Sequence, residues 1–430
     1  MKHKKIWALL LLSLSAVHAQ NMPKTTDGNL APDEWLLASR GPSWWYTTKP
    51  SPTPVALRQR AANAAEQAVI DRARQLMADR PAKAFALMDG DTVVYSDTKA
   101  PANSSSLFHG FSMGKTVTAM AVGQAICAGR LQLTTKASDV IPELSGKALG
   151  NATVRDLLMM ASGATDANSD STVWTPEQNK AWNEGTLNLS ATITTDERIA
   201  KAQRGVFSDY KPGEYFSYKS TDPLTLGLIL SRATGTVWNQ WIQERILNPM
   251  GAAYPGLLVQ DRQQNGLSDG GTRLRLEDWQ RFALWVKRSS KEQGCFGDYV
   301  RAAQSTQINN VARKSGREFG GYGYLTWTDN YLATNTAWAI GYGGQRISWH
   351  KNSDRMLIAF SNVESWMPDI YAVARDWNQI KSMDTGAITT LPLPRTVAND
   401  NVYKQQPRQS GSKMTEAEIE QAMRDMSEQK

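Results

Sequence analysis

The sequence predicts an α+β fold: an antiparallel sheet completed by both chain ends, flanked by helices and carrying an additional helical region. Three observations point to it. Near the start, Ala84-Phe85-Ala86-Leu87-Met88 and Thr92-Val93-Val94-Tyr95 are strand-like runs joined by Asp89-Gly90-Asp91, a hairpin signal. The middle of the chain carries apolar residues at helical spacing. Near the end, short strand-like runs precede a last helix, and strands at both ends around a helical middle are the pattern of such a fold.

Taken in order, residues 1–19 read as a secretory signal. Lys2, Lys4 and Lys5 form a basic start, residues 6–14 are apolar except for Ser13, and Val17-His18-Ala19 suits cleavage after Ala19. The apolar run is too short to span a bilayer and no run of roughly 20 residues follows it. The expectation is a periplasmic or secreted protein without stable membrane insertion after cleavage. Cleavage lowers the formal charge from +7 to about +4, with no Lys/Arg block of the kind nucleic acid needs. Nucleic acid is therefore excluded as a partner, and a small-molecule or peptide-like substrate is expected. The two cysteines, Cys127 and Cys295, could pair in an oxidising compartment, but Cys127 falls in an apolar stretch and reads as a small buried thiol. No Cys/His cluster has metal-ligand spacing, and no metal or cofactor is expected.

Residues 20–55, rich in Pro, Ser and Thr around Trp44-Trp45-Tyr46, read as an extended arm lying on the body. Residues 56–383 read as one catalytic domain. Within it, 56–79 carry Leu57, Ala61, Ala64, Ala65, Ala68 and Leu76 at helical spacing. Residues 113–128 and 154–160 also read as helices, ended at Gly129 and at Ser162-Gly163. Residues 164–212 form a long polar stretch containing Trp174 and Trp182. A stretch of this length suits a lid, with the two indoles as apolar walls for the acyl side of a substrate. Helices are expected over 221–234, 238–247, 276–287 and 369–380, and strands over 323–328, 337–340, 345–350 and 356–362. Residues 384–430 read as a tail, in which Thr415 and Glu418 could form a capping box for a short helix.

Gly110-Phe111-Ser112-Met113-Gly114-Lys115 carries the chemistry. Read as Gly-x-Ser-x-Gly, it could be the nucleophile elbow of an α/β-hydrolase; read as Ser-x-x-Lys, a serine activated by lysine. Both readings make Ser112 the nucleophile. A triad would need a histidine, and beyond the signal segment only His109 and His350 remain. His350 precedes an apparent turn, Lys351-Asn352-Ser353-Asp354, and reads as a turn residue. Lys115 instead stands one helical turn from Ser112, where i and i+3 side chains share a face. Further on, Pro212-Gly213-Glu214-Tyr215-Phe216-Ser217-Tyr218-Lys219-Ser220 runs from a turn into an apolar helix, stopping Tyr218 where its phenol could meet the nucleophile's proton. Gly341-Tyr342-Gly343-Gly344-Gln345 precedes a strand, and its glycines allow the close backbone approach that an oxyanion hole needs.

With these three motifs in this order, and Arg155-Asp156-Leu157-Leu158 leading to Ser162-Gly163 between the first two, residues 82–380 resemble the serine β-lactamase-related hydrolases. That family includes class C β-lactamases, DD-peptidases, esterases and 6-aminohexanoate-oligomer hydrolases, and the resemblance implies a β-lactamase/transpeptidase-like fold. It also implies that Ser112 is acylated, that Lys115 accepts its proton, and that Tyr218 passes the proton to the leaving group. The backbone amides of Ser112 and Gln345, shaped by Gly343 and Gly344, would form the oxyanion hole. Ser220 stands where β-lactamases carry Asn, and Tyr342 where they carry the Lys of Lys-Thr-Gly. The lost lysine argues against β-lactam carboxylate binding and so against efficient β-lactamase action, and the Tyr-x-Ser element is closer to the aminohexanoate-oligomer hydrolases and esterases. A DD-peptidase, a class C-like β-lactamase and a non-catalytic penicillin-binding-like sensor or binding module remain the alternatives.

Overall fold

Strand β13 (Arg355–Ser361) pairs antiparallel with β3 (Ala82–Asp89), so a late segment of the chain completes a sheet begun by an early one. This computed structural model describes residues 44–394 except 81, 101, 166–174, 314, 362–365 and 382–386. The signal segment, arm residues 20–43, Trp174 and the capping box at Thr415 and Glu418 lie outside them. In chain order the strands are β1 (Trp45–Thr47), β2 (Arg58–Gln59), β3, β4 (Thr92–Thr98), β5 (Phe108–His109), β6 (Leu257–Val259), β7 (Thr272–Leu274), β8 (Ile308–Asn309), β9 (Phe319–Tyr322), β10 (Trp327–Asn330), β11 (Thr336–Gly341), β12 (Gln345–His350), β13 and β14 (Thr389–Thr390). Ten of them form the main sheet in the order β14-β2-β4-β3-β13-β12-β11-β10-β9-β8, and β1-β6-β7-β5 form a smaller one. All pairings in the main sheet are antiparallel except β2 with β4.

Six helices carry the argument: α1 (Ala64–Asp79), α2 (Met113–Cys127), α3 (Thr221–Thr234), α4 (Leu276–Ser289), α5 (Cys295–Ala303) and α6 (Met367–Gln379). Residues 84–88 of β3 are all buried, which requires cover on both faces of the sheet, since successive side chains point to opposite sides. Side-chain parity shows the cover. Phe360 and Trp349 meet Trp279 and Phe282 of α4 on one face. On the other, Trp338 meets Tyr371 of α6, and Arg355 meets Trp377 of α6 and Glu66 of α1. Helix α2 lies beneath β11 and β12 and is buried from Met113 to Gly123, with α3 and α5 packed on it. A helix apolar all round has this fate. Its buried hydroxyls are satisfied, Thr116 by the Leu325 carbonyl and Thr118 by the Ser268 carbonyl.

The structure corrects four expectations. The first helix begins at Ala64, not at 56, because Asn63 and Glu66 form a capping box and Arg58–Gln59 pair with Thr92 and Val93. The apolar run over 323–328 is not one strand: residues 323–326 form the turn after β9, and only Trp327 and Thr328 are strand, the start of β10. Leu325 there has φ +46°, Tyr324 and Leu325 are buried, and the Gly323 N–H donates to the Thr326 carbonyl. Cys127 is not a free thiol: it ends α2, Cys295 begins α5, their Cα atoms lie 5.7 Å apart, and the two are bridged. Finally, the expected tail contributes β14, whose Thr389 and Thr390 pair with Gln59 and Arg58. Helix α5 had no counterpart in the expectations.

The arm and the long polar segment also gain structure where they are described. Trp44 is buried and β1 is an edge strand on β6. Residues 175–212 include helices Pro176–Glu184, Leu189–Thr195 and Glu197–Ala200. Ala181, Leu187 and Leu189 pack with Trp44 and Val259, which fastens this segment to the smaller sheet.

Glu66 ties the first helix to the sheet. Its carboxylate is fully buried and accepts from Arg60 at 2.7 Å on each oxygen, from Arg355 at 2.6 Å and from the Asn63 N–H at 3.0 Å. Burial opposes its ionisation, but these donors outweigh it and hold the group down at about 2. A depressed carboxyl contributes stability that is complete above its ordinary value and lost as pH falls toward its folded one. Glu66→Gln is therefore expected to cost about 3 kcal/mol at pH 7. The deficit against the parent, measured by urea unfolding, should shrink as pH falls from 4.5 toward 2. A deficit independent of pH across that window would mean that shape, not charge, is what Glu66 supplies.

Candidate active site

Ser112 stands at the N-cap of α2, and the strand leading to it makes that position unusual. Strand β5 pairs with β7 and ends at His109; Gly110 follows, and then Phe111 takes φ +47°. A bulky residue in the left-handed region is an uncommon and strained state. It turns the chain sharply from strand into helix and places Ser112 at the helix entry, where the first amides have no partners within the helix.

Lys115 follows one turn later, 2 % exposed, with Nζ 3.0 Å from Ser112 Oγ. The same nitrogen donates to the Asp269 carbonyl at 3.0 Å and lies 3.8 Å from Asp269 Oδ2. Lys115 Nζ also sits 5.2 Å from the centre of the Tyr218 ring. That ring is stacked on Trp327 at 5.2 Å and meets Tyr322 edge-on. Ser112, Lys115 and Tyr218 thus converge from two elements, with an aromatic bed fixing the phenol.

The third element arrives through a backbone contact. A Cβ on Gly341 would lie 2.0 Å from the Gly110 carbonyl oxygen, so β11 can press against the approach to Ser112 only as glycine. Gly343 and Gly344, with φ +75° and +91°, turn the chain back into β12. Gln345 then binds this turn to β13. Its side-chain amide donates to the Tyr342 and Ser361 carbonyls at 2.9 and 2.6 Å and accepts from the Ser361 N–H at 3.1 Å. Tyr342 itself is 70 % exposed and meets Phe111 edge-on at 5.8 Å. Ser220, half-buried, is the N-cap residue of α3.

These elements open a cleft of about 390 Å³ whose lining includes Ser112, Tyr218, Trp327, Tyr342 and Arg346. Arg346 is buried and donates to the Gly341 and Gln345 carbonyls at 2.8 Å each, bracing the turn from behind. Trp182 lies on helix Pro176–Glu184, whose Ala181 packs on the Trp44 cluster.

The two histidines are engaged elsewhere. His109 donates through Nε2 to the Gly270 carbonyl at 2.9 Å and its ring lies tilted against Phe111, centroids 3.9 Å apart. Burial, with Arg273 nearby, pushes it far below its ordinary value, so it is a neutral ring. His350 pairs with Ser353 Oγ at 2.6 Å, at the opposite end of β12 from Gln345 and about 17 Å away at strand spacing. These hydrogen bonds of His109 and His350 go to Gly270 and Ser353, not to Ser112.

Sequence reasoning missed two groups here. One is Asp269, which holds the free side of Lys115. The other is a buried cluster behind the Tyr218 motif. Lys219 and Asp222, both fully buried, pair at 3.2 Å, and Lys219 also donates to the Ser217 carbonyl. Asp222 accepts from Ser162 Oγ at 2.7 Å and from the Ser162 N–H at 3.2 Å. Burial pushes the Asp222 carboxyl up, against the pull of Lys219 and Ser162. The cluster locks the Tyr218 loop onto the Ser162-Gly163 turn. The i, i+3 spacing of Lys219 and Asp222 was its only trace in the sequence.

The Beta-lactamase family model matches residues 69–369. The chain belongs to the Beta-lactamase family. Two curated relatives agree: penicillin-binding protein 4 of Amycolatopsis lactamdurans is 27% identical over 181 residues, 40% of this chain and 43% of that protein. A β-lactamase of Providencia stuartii is 24% identical over 201 residues, 45% of this chain and 47% of that one. The chain thus spans less than half the length of these curated relatives. Among solved structures, a candidate 6-aminohexanoate-dimer hydrolase from Bacillus anthracis superposes with a TM-score of 0.61 at 17% identity, over 77% of this chain and 89% of that one. At that identity the likeness is one of fold, and it is the β-lactamase/transpeptidase-like fold, mixed α+β with antiparallel sheets flanked by helices.

Removing Asp222 would strand the Lys219 charge in the core. Asp222→Ala is expected to cost about 3–5 kcal/mol in urea unfolding. Asp222→Asn, which keeps an acceptor for Ser162, should cost less. Equal stability of the parent and both variants would show that the cluster carries no weight in the fold.

Proposed function

We propose that this protein is an exported serine hydrolase that cleaves an open-chain amide or ester through an acyl-enzyme on Ser112. The observation that carries the reading is the 3.0 Å contact between Lys115 Nζ and Ser112 Oγ at the floor of an open cleft. Lys115 as a free amine accepts the Ser112 proton along that line while Oγ attacks the substrate carbonyl. Tyr218, fixed on Trp327 beside Lys115, relays the proton to the departing amine or alcohol. The amides of Ser112 and Gln345 hold the developing oxyanion, which is why the turn before Gln345 is tied so firmly to β13. Water then reverses the sequence and frees Ser112.

Export is supported by the basic and apolar start of the chain and by the Cys127–Cys295 bridge, which an oxidising compartment preserves. Among the described residues no helix is long and apolar enough to cross a membrane. The membership of the family, together with the intact Ser112, Lys115 and Tyr218, favours turnover over a mute binding module.

Ser112→Ala and Lys115→Ala are each expected to abolish labelling by a fluorophosphonate and to lower kcat by several orders of magnitude. The double variant should be little worse than either, because groups acting as one unit are not additive. His350→Ala should stay within about tenfold of the parent. A folded His350→Ala protein without activity would overturn the assignment of the base.

Tyr342 governs the substrate class in this reading. A neutral phenol stands where a cation would hold the carboxylate of a β-lactam, and a missing charge-assisted hydrogen bond is worth roughly 1.5–3 kcal/mol, or one to two orders of magnitude in kcat/KM. Short-chain esters and linear amides should therefore be turned over faster than nitrocefin, and Tyr342→Lys should raise β-lactam acylation about tenfold or more. If nitrocefin proved the best substrate of the unmodified protein, the preference for open-chain substrates would be wrong.

A further inference from the structure

At the far end of the main sheet from Ser112 lies a second cleft, of about 490 Å³. Its walls come from segments distant in sequence: β2, the Gly90 turn between β3 and β4, the last turns of α4, the turn between β12 and β13, and Ile388 just before β14. The lining carries five cationic side chains against three carboxylates. The geometry points to a binding site for a compact anion of two or more negative charges, of the phosphate or polycarboxylate class.

The carboxylates present are already engaged. Asp91 lies between Arg58 at 3.3 Å and Arg288 at 3.4 Å, Asp354 pairs with Lys291, and Asp89 faces Arg60 at 3.2 Å and Arg355 at 3.8 Å. Lys287 is the cation without a carboxylate within ion-pair distance among the described residues. It is 5 % exposed, and its ammonium donates to the His350 carbonyl at 2.7 Å. An ammonium carries three donors, and a buried charge answered by one neutral acceptor is costly. Burial, with Lys291 close by, pushes its ionisation down, while Asp354 pulls the other way. An oxyanion entering the cleft would meet this ammonium at the base and the exposed Arg288 and Lys291 at the rim. Guanidinium and ammonium donors bind multivalent oxyanions well, the guanidinium in a bidentate fork.

The site is separate from the candidate active site, though α4 links the two. Trp279 in the second turn of α4 packs under Gly110, where a Cβ would meet it at 2.7 Å. Lys287 lies more than two turns further along the helix.

The full chain is to be titrated by calorimetry with inorganic pyrophosphate and, separately, with citrate, at ionic strength held constant with sodium chloride. Saturable one-to-one binding is expected, and the relative affinity of the two anions tells the phosphate source from the carboxylate one. Lys287→Met should weaken binding about tenfold or more, and Ser112→Ala should leave it unchanged. Should Lys287→Met fail to fold by circular dichroism, the rim pair Arg288→Gln with Lys291→Gln replaces it and should weaken binding to the same degree. Absence of saturable heat with both anions, an unchanged isotherm in these variants, or loss of binding in Ser112→Ala would each overturn the proposal. The last result would place the anion in the Ser112 cleft.

Discussion

The whole site depends on one backbone contact, the approach of Gly341 to the Gly110 carbonyl. Ser112 belongs to a helix entered from the smaller sheet, whereas the candidate oxyanion strand belongs to the main sheet. These two bodies can share a reacting atom only if β11 lies against the segment leading into α2, and any side chain at 341 would hold them apart. Several other features serve that closure. Phe111 accepts a left-handed conformation to make the turn, Trp279 fills the space on the other side of Gly110, and Gln345 nails the following turn to β13. Packing density explains why the arrangement is unforgiving, because an interior filled like a crystal cannot absorb an extra methyl at a backbone contact.

Charge plays two different parts in the interior. Around Glu66, two arginines and a capped helix start leave a carboxylate fully answered, and the result is a tie between α1 and β13 far from any chemistry. Behind Tyr218, Lys219 and Asp222 form a smaller and less fully answered pair, one whose value is positional. Replacing a buried pair by apolar residues often costs nothing, so its retention is better read as specification of one loop geometry than as stability. The geometry specified is the one that stacks Tyr218 on Trp327 and brings it beside Lys115.

How much of this was legible in the sequence follows from how local each feature is. The β3–β4 hairpin, α2, α3 and the last strands and helix were readable because turn chemistry and periodicity are local signals. The Ser112–Lys115 contact was readable for the same reason, being fixed by one helical turn. The start of α1 was missed because alanine-rich spacing runs through Asn63 without a break; the capping box of Asn63 and Glu66 was a local signal for it, and the pairing of Arg58 and Gln59 with β4 keeps the chain extended before it. The apolar run at 323–328 misled because a buried turn and a strand have the same composition. The Cys127–Cys295 bridge, closed across 168 residues, and the hold of Asp269 on Lys115 are contacts between remote segments, and neither spacing nor periodicity encodes them.

If, as proposed, Ser112 is activated by a lysine on its own helix, there is a consequence for how such a fold can vary. A histidine triad needs three segments in register before any proton moves, whereas in the proposed mechanism the serine and its proton acceptor are set by local helix geometry alone. Tertiary structure is then left to supply the oxyanion amides, the phenol and the walls of the cleft. Those parts come from loops and strand ends such as Tyr342 and Ser220, which can change without disturbing the Ser112–Lys115 pair. Substrate preference and nucleophile activation are therefore separable in this architecture. The exposed phenol of Tyr342, resting on Phe111 at the mouth of the cleft, is where the first can shift while the second stays fixed.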